Sequence, residues 1–202
     1  LENMSLIPGN VGTTPVQNIG AYGAEIKDTF VSCDAMNILS QDMKTFTKDE
    51  CKFGYRESIF KQEVKNQYII TSVVFKLKKH SHNINIGYGD IQSELAKNEI
   101  TNPTIKDVSN AVIAIRNTKL PNPKELGNSG SFFKNPVISR ELFEKVQEKF
   151  PEVKHFEVSP TEVKVPAGWL IENAGLKGYR KDDAGVHKNQ ALVLVNYGNA
   201  SG

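Results

Sequence analysis

Long apolar runs are missing from this 202-residue chain. The longest, Tyr68–Phe75, is broken by Thr71 and Ser72, and it falls far short of the roughly 20 residues that cross a bilayer. Residues 1–10 lack the basic start and apolar stretch of a signal peptide. Cysteine is scarce: Cys33 and Cys51 stand alone, without a partner motif. They read as reduced, partly buried thiols of a cytoplasmic protein. The four histidines never cluster with them, so no metal site is expected. Nor is one sign of charge in excess. A net charge of +2 is too small for the concentrated basic footprint of a nucleic-acid binder. Lys76, Lys78, Lys79 and His80 read as a solvated strand end rather than an RNA-binding patch.

What remains is an ordinary globular composition, 39% hydrophobic and 24% charged, with enough chain for one large or two small domains. The sequence opens on Leu1-Glu2-Asn3 and closes on Asn199-Ala200-Ser201-Gly202 just after a strand-like run. Neither end resembles a natural terminus, so a piece of a longer protein is expected.

Gly9, Gly12, Gly20 and Gly23, with Pro8 and Pro15, mark a folded-back loop region at the start. Short extended segments are expected over 25–39. A turn with a short helix is expected over 46–53, Thr47 capping it and Asp49 and Glu50 in its first turn. Tyr68 to Leu77 (YIITSVVFKL) is β-branched and aromatic and predicts a buried strand. Ile105, Val108, Val112 and Ile115 recur at helical spacing behind Thr104 and Asp107, which predicts a helix over 104–117. A second helix is predicted over 139–150, with Ser139 as cap, Leu142, Phe143, Val146 and Phe150 on one face, and Pro151 as terminator. A third should start at Pro166 and end at Ala174 before Gly175. Residues 191–196 (ALVLVN) read as a last buried strand. Strands and helices without strict alternation favour α+β, and the Pro-rich segment 120–126 is the natural domain boundary.

Four segments carry candidate chemistry. In IPGNVGTTP, continuing to NIGAYG, glycines let backbone approach a ligand beside the hydroxyls of Thr13 and Thr14 and the ring of Tyr22. Such a loop can form a phosphate-holding nest, but it has neither GxGxxG nor a Walker lysine. In FGYRESIFK, Arg56 beside Tyr55 suits bidentate capture of a carboxylate; the plainer reading is a salt bridge to Glu57 or Glu50. In GNSGSFFKNP, Ser131 sits between a glycine and two rings that would anchor it. It lacks the GxSxG elbow, and a poorly acidic hydroxyl suits proton donation to a strongly basic carbanion. The plainer reading is a tight turn packed by two phenylalanines. Lys119 and Lys124 lie just upstream. Near the end, Trp169, Lys177 and HKNQA at 187–191 form the fourth segment, where a lone His187 reads as structural.

Taken in order and at their spacings, IPGNVGTTPVQNIGAYGAEI, CKFGYRESIFK, IGYGD, TKLPNPKELGNSGSFFKNPVIS, AGWLIENAGLKGYR and HKNQALVLVNYGNASG resemble the UDP-N-acetylenolpyruvoylglucosamine reductase family of bacterial peptidoglycan synthesis, in its type I branch. The resemblance spans essentially the whole chain. It implies part of an FAD-binding α+β domain over 1–118, then a smaller α+β substrate-binding domain over 119–202. It implies hydride transfer from NADPH to FAD and on to the enolpyruvyl methylene of UDP-N-acetylglucosamine enolpyruvate, giving UDP-N-acetylmuramate. Ser131 would protonate the resulting carbanion, and Arg56 would bind the carboxylate and stabilise its developing charge. Tyr88, Lys119 and Asn135 match positions that hold the diphosphate and close over substrate. Lys177 and Gln190 match positions near the nucleotide-sugar. Ile7, Pro8, Gly9, Gly12, Thr13, Thr14, Gly20 and Tyr22 fall on the segment lining the flavin.

A cytoplasmic monomer is expected. The family's amino-terminal flavin-phosphate loop and a glutamate beyond the last strand have no counterpart in this sequence. This chain alone is therefore expected to be inactive and to bind FAD weakly or not at all. A non-catalytic nucleotide-sugar binding module would keep Lys119, Asn135 and Gln190 without needing Ser131 and Arg56 together. Alcohol and aldehyde oxidases of the same flavin-binding fold lack GSFFKNP.

Overall fold

The computed structural model describes residues 1–201. It divides into two compact units, Leu1–Arg116 and the chain from Asn117 onward. Gly202, the last residue of the expected second domain, lies outside the described residues.

In the first unit the glycine- and proline-rich start folds back through 3₁₀ turns at Glu2–Met4 and Val11–Thr13. Gly20–Ala21 (β1) and Ala24–Glu25 (β2) then form a two-residue hairpin. Its turn residues Tyr22 and Gly23 have φ of 47° and 78°, the left-handed pair a type I′ turn needs. Phe30–Asn37 (β3) lies between Met43–Thr47 (β4) and Tyr68–Phe75 (β5) in an antiparallel sheet. Inward residues Phe30, Cys33 and Ala35 of β3 join Phe46, Cys51 and Phe60 in one core.

Three expectations need correction here. Residues 46–53 hold no helix: β4 runs through Phe46 and Thr47, and a turn follows. Thr47 and Glu50 do exchange the reciprocal hydrogen bonds of a helix start, but Lys52 at φ 45° breaks the spiral after one turn. The strand at Tyr68 ends at Phe75, and it is a half-exposed edge rather than a buried strand. With β3 on one side only, it leaves Ile69 and Val74 about half exposed. The two thiols are fully buried, not partly buried.

Two helices complete this unit, Gly89–Lys97 (α1) and Ile105–Lys119 (α2). The first was not anticipated, because only Ile91 and Leu95 carry its apolar face. The second begins at a capping box in which Thr104 and Asp107 exchange bonds of 2.8 and 3.3 Å. It runs two residues beyond the predicted end. Ile91, Leu95, Val108, Ala111, Val112 and Ile115 pack into a second core, with Tyr22 against it. No helix among the described residues is long and apolar enough to cross a membrane.

The second unit contains two antiparallel sheets. Gly127–Ser131 (β6) joins Arg180–Lys181 (β10), Ala184–Val186 (β11) and Val193–Asn196 (β12) in the order β10-β11-β12-β6. Val137–Ser139 (β7), Phe156–Ser159 (β8) and Glu162–Lys164 (β9) form the order β7-β9-β8. Arg140–Lys149 (α3) starts under the Ser139 cap, which accepts from Leu142 N, and Phe143 enters a core with Val153, Val163 and Val165. Leu142 and Phe150, expected on that face, stay 49% and 43% exposed, because one short helix over one small sheet buries only its central row. Ala167–Asn173 (α4) follows Pro166 and ends before Gly175 at φ 73°. The last strand starts at Val193, with Ala191 already buried before it. Helices and antiparallel sheets without βαβ repetition make this the α+β architecture anticipated.

Candidate functional site

In the first unit the hairpin β1–β2 brings several predicted residues together. Arg56 lies in the loop closed by the Gly54↔Glu57 bridge, at φ 54°, a left-handed backbone that costs a non-glycine residue roughly 1–2 kcal/mol. Its Nη2 donates to the Gly20 carbonyl, and its Nη1 reaches the Asn18 carbonyl at 3.5 Å. The carboxylate beside it is Glu25, at 3.6 Å. Neither acid expected from the sequence is its partner: Glu50 is taken by Thr47 and Lys44, and Glu57 Oε1 is buried without a donor. The fold supplies the ion pair from the hairpin, distant in sequence, rather than from a chain neighbour.

Gly20 is required by contact. A Cβ there would lie 2.5 Å from the Ala24 carbonyl, 2.8 Å from Glu25 Cγ and 3.1 Å from Arg56 Nη1. Tyr22 meets Tyr88 edge-on, ring centres 5.8 Å apart, and Gly23 lies against Tyr88 and Asn85. Asn3, 2% exposed, ties the hairpin down by donating to the carbonyls of Tyr22 and Asn85 at 2.9 Å each. Asn3, Asn18 and Glu25 were missed in the sequence; buried asparagines inside a glycine-rich segment were the available signal.

Arg116 was missed as well. Its Nε is buried without an acceptor among the described residues. Burial pulls its pKa below the usual guanidinium value, with the Tyr22 phenol acting against that shift.

The loop from Ile7 to Thr14 lines a cavity of about 240 Å³ with Ile19, Ile26 and Phe75. Gly9 adopts φ 121°, and Gly12 sits 3.3 Å from the Ile70 carbonyl of β5 when a Cβ is built on it. Thr13 and Thr14, however, donate their hydroxyls to the carbonyls of Asn10 and Val11 at 2.7 Å. These hydroxyls hold the 3₁₀ turn, leaving their lone pairs outward, a poor lining for phosphate oxygen.

In the second unit Ser131 ends β6, paired with Val193 of β12 where the register shifts. Gly130 before it takes φ 63° in open space, and Asn128 Oδ1 accepts its amide at 3.0 Å. The Ser131 hydroxyl is exposed and makes no hydrogen bond within the described residues. The rings that follow do not anchor it: Phe132 and Phe133 stack edge-on at 5.1 Å and are 61% and 41% exposed. The turn is held by backbone pairing instead, Phe132 N donating to Leu192 O at 2.9 Å. Asn135 Oδ1 accepts the Ala167 amide at 2.9 Å and so caps α4, which leaves its NH₂ as the group that can meet a ligand. Gln190 receives Val193 N on its carbonyl and, at 3.5 Å, Leu192 N on its side chain. Lys177 pairs with Glu172 at 2.7 Å. Tyr88, Lys119 and Lys177 keep their places at the start of α1, the end of α2 and beyond α4. No group of three or more possible metal ligands occurs among the described residues.

Residues 122–202 match the family model for the UDP-N-acetylenolpyruvoylglucosamine reductase, C-terminal domain. The chain is 75% identical over 202 residues to the UDP-N-acetylenolpyruvoylglucosamine reductase of Flavobacterium johnsoniae, covering all of this chain and 60% of that protein. It is 50% identical over 204 residues to the reductase of Chromobacterium violaceum, covering 59% of it. It thus spans about 60% of the length of these relatives. Among solved structures it is similar to the UDP-N-acetylenolpyruvylglucosamine reductase of Thermus caldophilus, with TM-score 0.62 and 25% identity over 98% of this chain and 54% of that one.

Proposed function

We propose that this chain belongs to the UDP-N-acetylenolpyruvoylglucosamine reductase family, a reading its matches support, and that it carries Ser131 and Arg56 of an NADPH-driven reduction of UDP-N-acetylglucosamine enolpyruvate to UDP-N-acetylmuramate. The observation carrying this reading is the unengaged Ser131 hydroxyl, set on a strand end by the left-handed Gly130. A hydroxyl that faces solvent and is not committed to a protein acceptor can turn its proton toward substrate carbon. In this role Ser131 Oγ delivers the proton to the carbon α to the carboxylate, after hydride has added to the neighbouring methylene. The Arg56 guanidinium, already fixed by Gly20 and Glu25, binds that carboxylate and offsets the negative charge growing on it.

The first unit fits a flavin in two respects: Gly20, Tyr22 and Gly23 offer close backbone and an aromatic face, and Arg116 presents a buried N–H with no acceptor, suited to a carbonyl or phosphate oxygen of FAD. When bound, FAD supplies the hydride received from NADPH. Ile7, Pro8, Gly9 and Gly12 are assigned to flavin lining through their backbone, with Thr13 and Thr14 shaping the turn. Tyr88, Lys119, Asn135, Lys177 and Gln190 are assigned to the nucleotide-sugar, Asn135 and Gln190 through their NH₂ groups. Residues 1–118 accordingly form part of the flavin-binding domain, which also brings Arg56 and Tyr88 to the substrate, and 119–202 the substrate-binding domain, in a cytoplasmic monomer.

Ser131→Ala in the complete protein tests the reading. Flavin reduction by NADPH should persist while product formation falls by about 10²–10⁴-fold. Undiminished product formation would refute it. A wild-type protein that binds the nucleotide-sugar and reduces nothing would favour a pure binding module.

A further inference from the structure

We infer that Glu25 is the positioning residue for Arg56, holding the guanidinium in the pose from which it meets the substrate carboxylate; this rests on the role proposed for Arg56 above. Arg56 is a long side chain on a strained backbone, at φ 54°, with the centre of the neighbouring Tyr55 ring 5.4 Å from its guanidinium carbon. Three polar groups from the hairpin and the residues just before it direct the guanidinium: the Gly20 carbonyl under Nη2, the Asn18 carbonyl 3.5 Å from Nη1, and Glu25 Oε1 3.6 Å from Nη1. Only Glu25 brings a charge.

Glu25 is itself fixed from below. Asn18 is fully buried; its Nδ2 donates to Glu25 Oε2 at 3.2 Å and to the Gly54 carbonyl at 2.9 Å, and its Oδ1 accepts the Lys27 amide at 3.1 Å. The same carboxamide therefore ties the hairpin to the loop that bears Arg56. The Glu25 side chain also caps the 3₁₀ turn Ile26–Asp28, so it cannot swing with solvent. Asn18, Tyr22 and Arg56 all have left-handed φ values of 42–54°. Such strain persists only where surrounding bonds over-determine it, and it gathers at sites that need a fixed pose.

A carboxylate at 3.6 Å has a second consequence. It partly neutralises Arg56 in the resting protein, so a substrate carboxylate gains less in the ground state than in the transition state, where it carries additional charge. Removing Glu25 frees the guanidinium from its pose while leaving it more positive, so kcat should fall while KM for the enolpyruvyl substrate does not rise.

Glu25 has one other cation, Lys27, at 2.8 Å, and this supplies the control. Glu25→Gln in the complete protein keeps size and capping ability and removes the charge. Expected is a loss in kcat for the enolpyruvyl substrate of about 10–100-fold. Flavin content and the rate of flavin reduction by NADPH should stay within about twofold, as should every rate in Lys27→Met. Wild-type turnover in Glu25→Gln overturns the inference. So does a parallel loss of flavin content or NADPH oxidation, or an equal loss in Lys27→Met, since each marks a merely structural ion pair. A wild-type protein that reduces its flavin but never the enolpyruvyl substrate overturns the reading of Arg56 itself, and this role with it.

Discussion

Gly20→Ala is the smallest perturbation that reaches the centre of the first unit. Gly20 has no left-handed φ, so alanine meets no backbone penalty, and the whole effect comes from contact. The new methyl would stand 2.5 Å from the Ala24 carbonyl and 2.8 Å from Glu25 Cγ, whereas a carbon–oxygen contact settles near 3.3–3.6 Å. One strand of the hairpin must retreat by about 1 Å. The carbonyl belongs to backbone across a two-residue turn that is itself tied down by Asn3, so it cannot yield as a side-chain tip would. Overpacking of this kind costs about 1–3 kcal/mol. The same displacement moves the Gly20 carbonyl that receives Arg56 Nη2, and a misplacement of about 1 Å costs on the order of 10²-fold in rate. The assay pairs equilibrium unfolding of the complete protein with its steady-state rate. Gly89→Ala is the reference: nothing lies within 4 Å of its Cβ, and at the start of α1 alanine should be neutral or stabilising by up to about 1 kcal/mol. If Gly20→Ala matches the wild type in both stability and rate, the close-packed hairpin is not what fixes Arg56.

Two further outcomes probe the second unit. Phe143→Ala should cost about 3–5 kcal/mol, because Phe143 is 2% exposed, whereas Phe132→Ser, at a ring 61% exposed, should stay within about 0.5 kcal/mol; denaturant midpoints of the two variants check the contrast. His187 is 8% exposed with Nδ1 unpaired, and burial, aided by Lys188, lowers its pKa. The folded state therefore binds its proton less readily than the unfolded chain, so stability falls as pH drops through the ordinary histidine value of 6.5 and on through the lowered one. His187→Gln should flatten stability against pH in that window, and an unchanged slope would disprove the assignment.

Residues near in sequence settled much of this molecule. Thr104 with Asp107, Ser139 ahead of Leu142, and Pro166 with Gly175 mark helix ends because capping bonds close within one turn. For the same reason the glycine-rich start reads as folded-back loop, whereas GNSGSFFKNP reads only as a loop or tight turn carrying a candidate donor, and its pairing with β12 makes its first half a strand. Where local signals were ambiguous they misled: Thr47 and Glu50 make a helix-start pair that the β3–β4 pairing overrides. Tertiary structure alone decided that Arg56 faces Glu25 rather than Glu57. It alone left Phe132 and Phe133 exposed, and placed Arg116 beside Tyr22 with an unfilled donor. Those outcomes depend on which distant segments pack together. Periodicity and caps report only the hydrogen bonds a segment makes with itself, whereas an ion pair or an edge strand is a property of two segments at once.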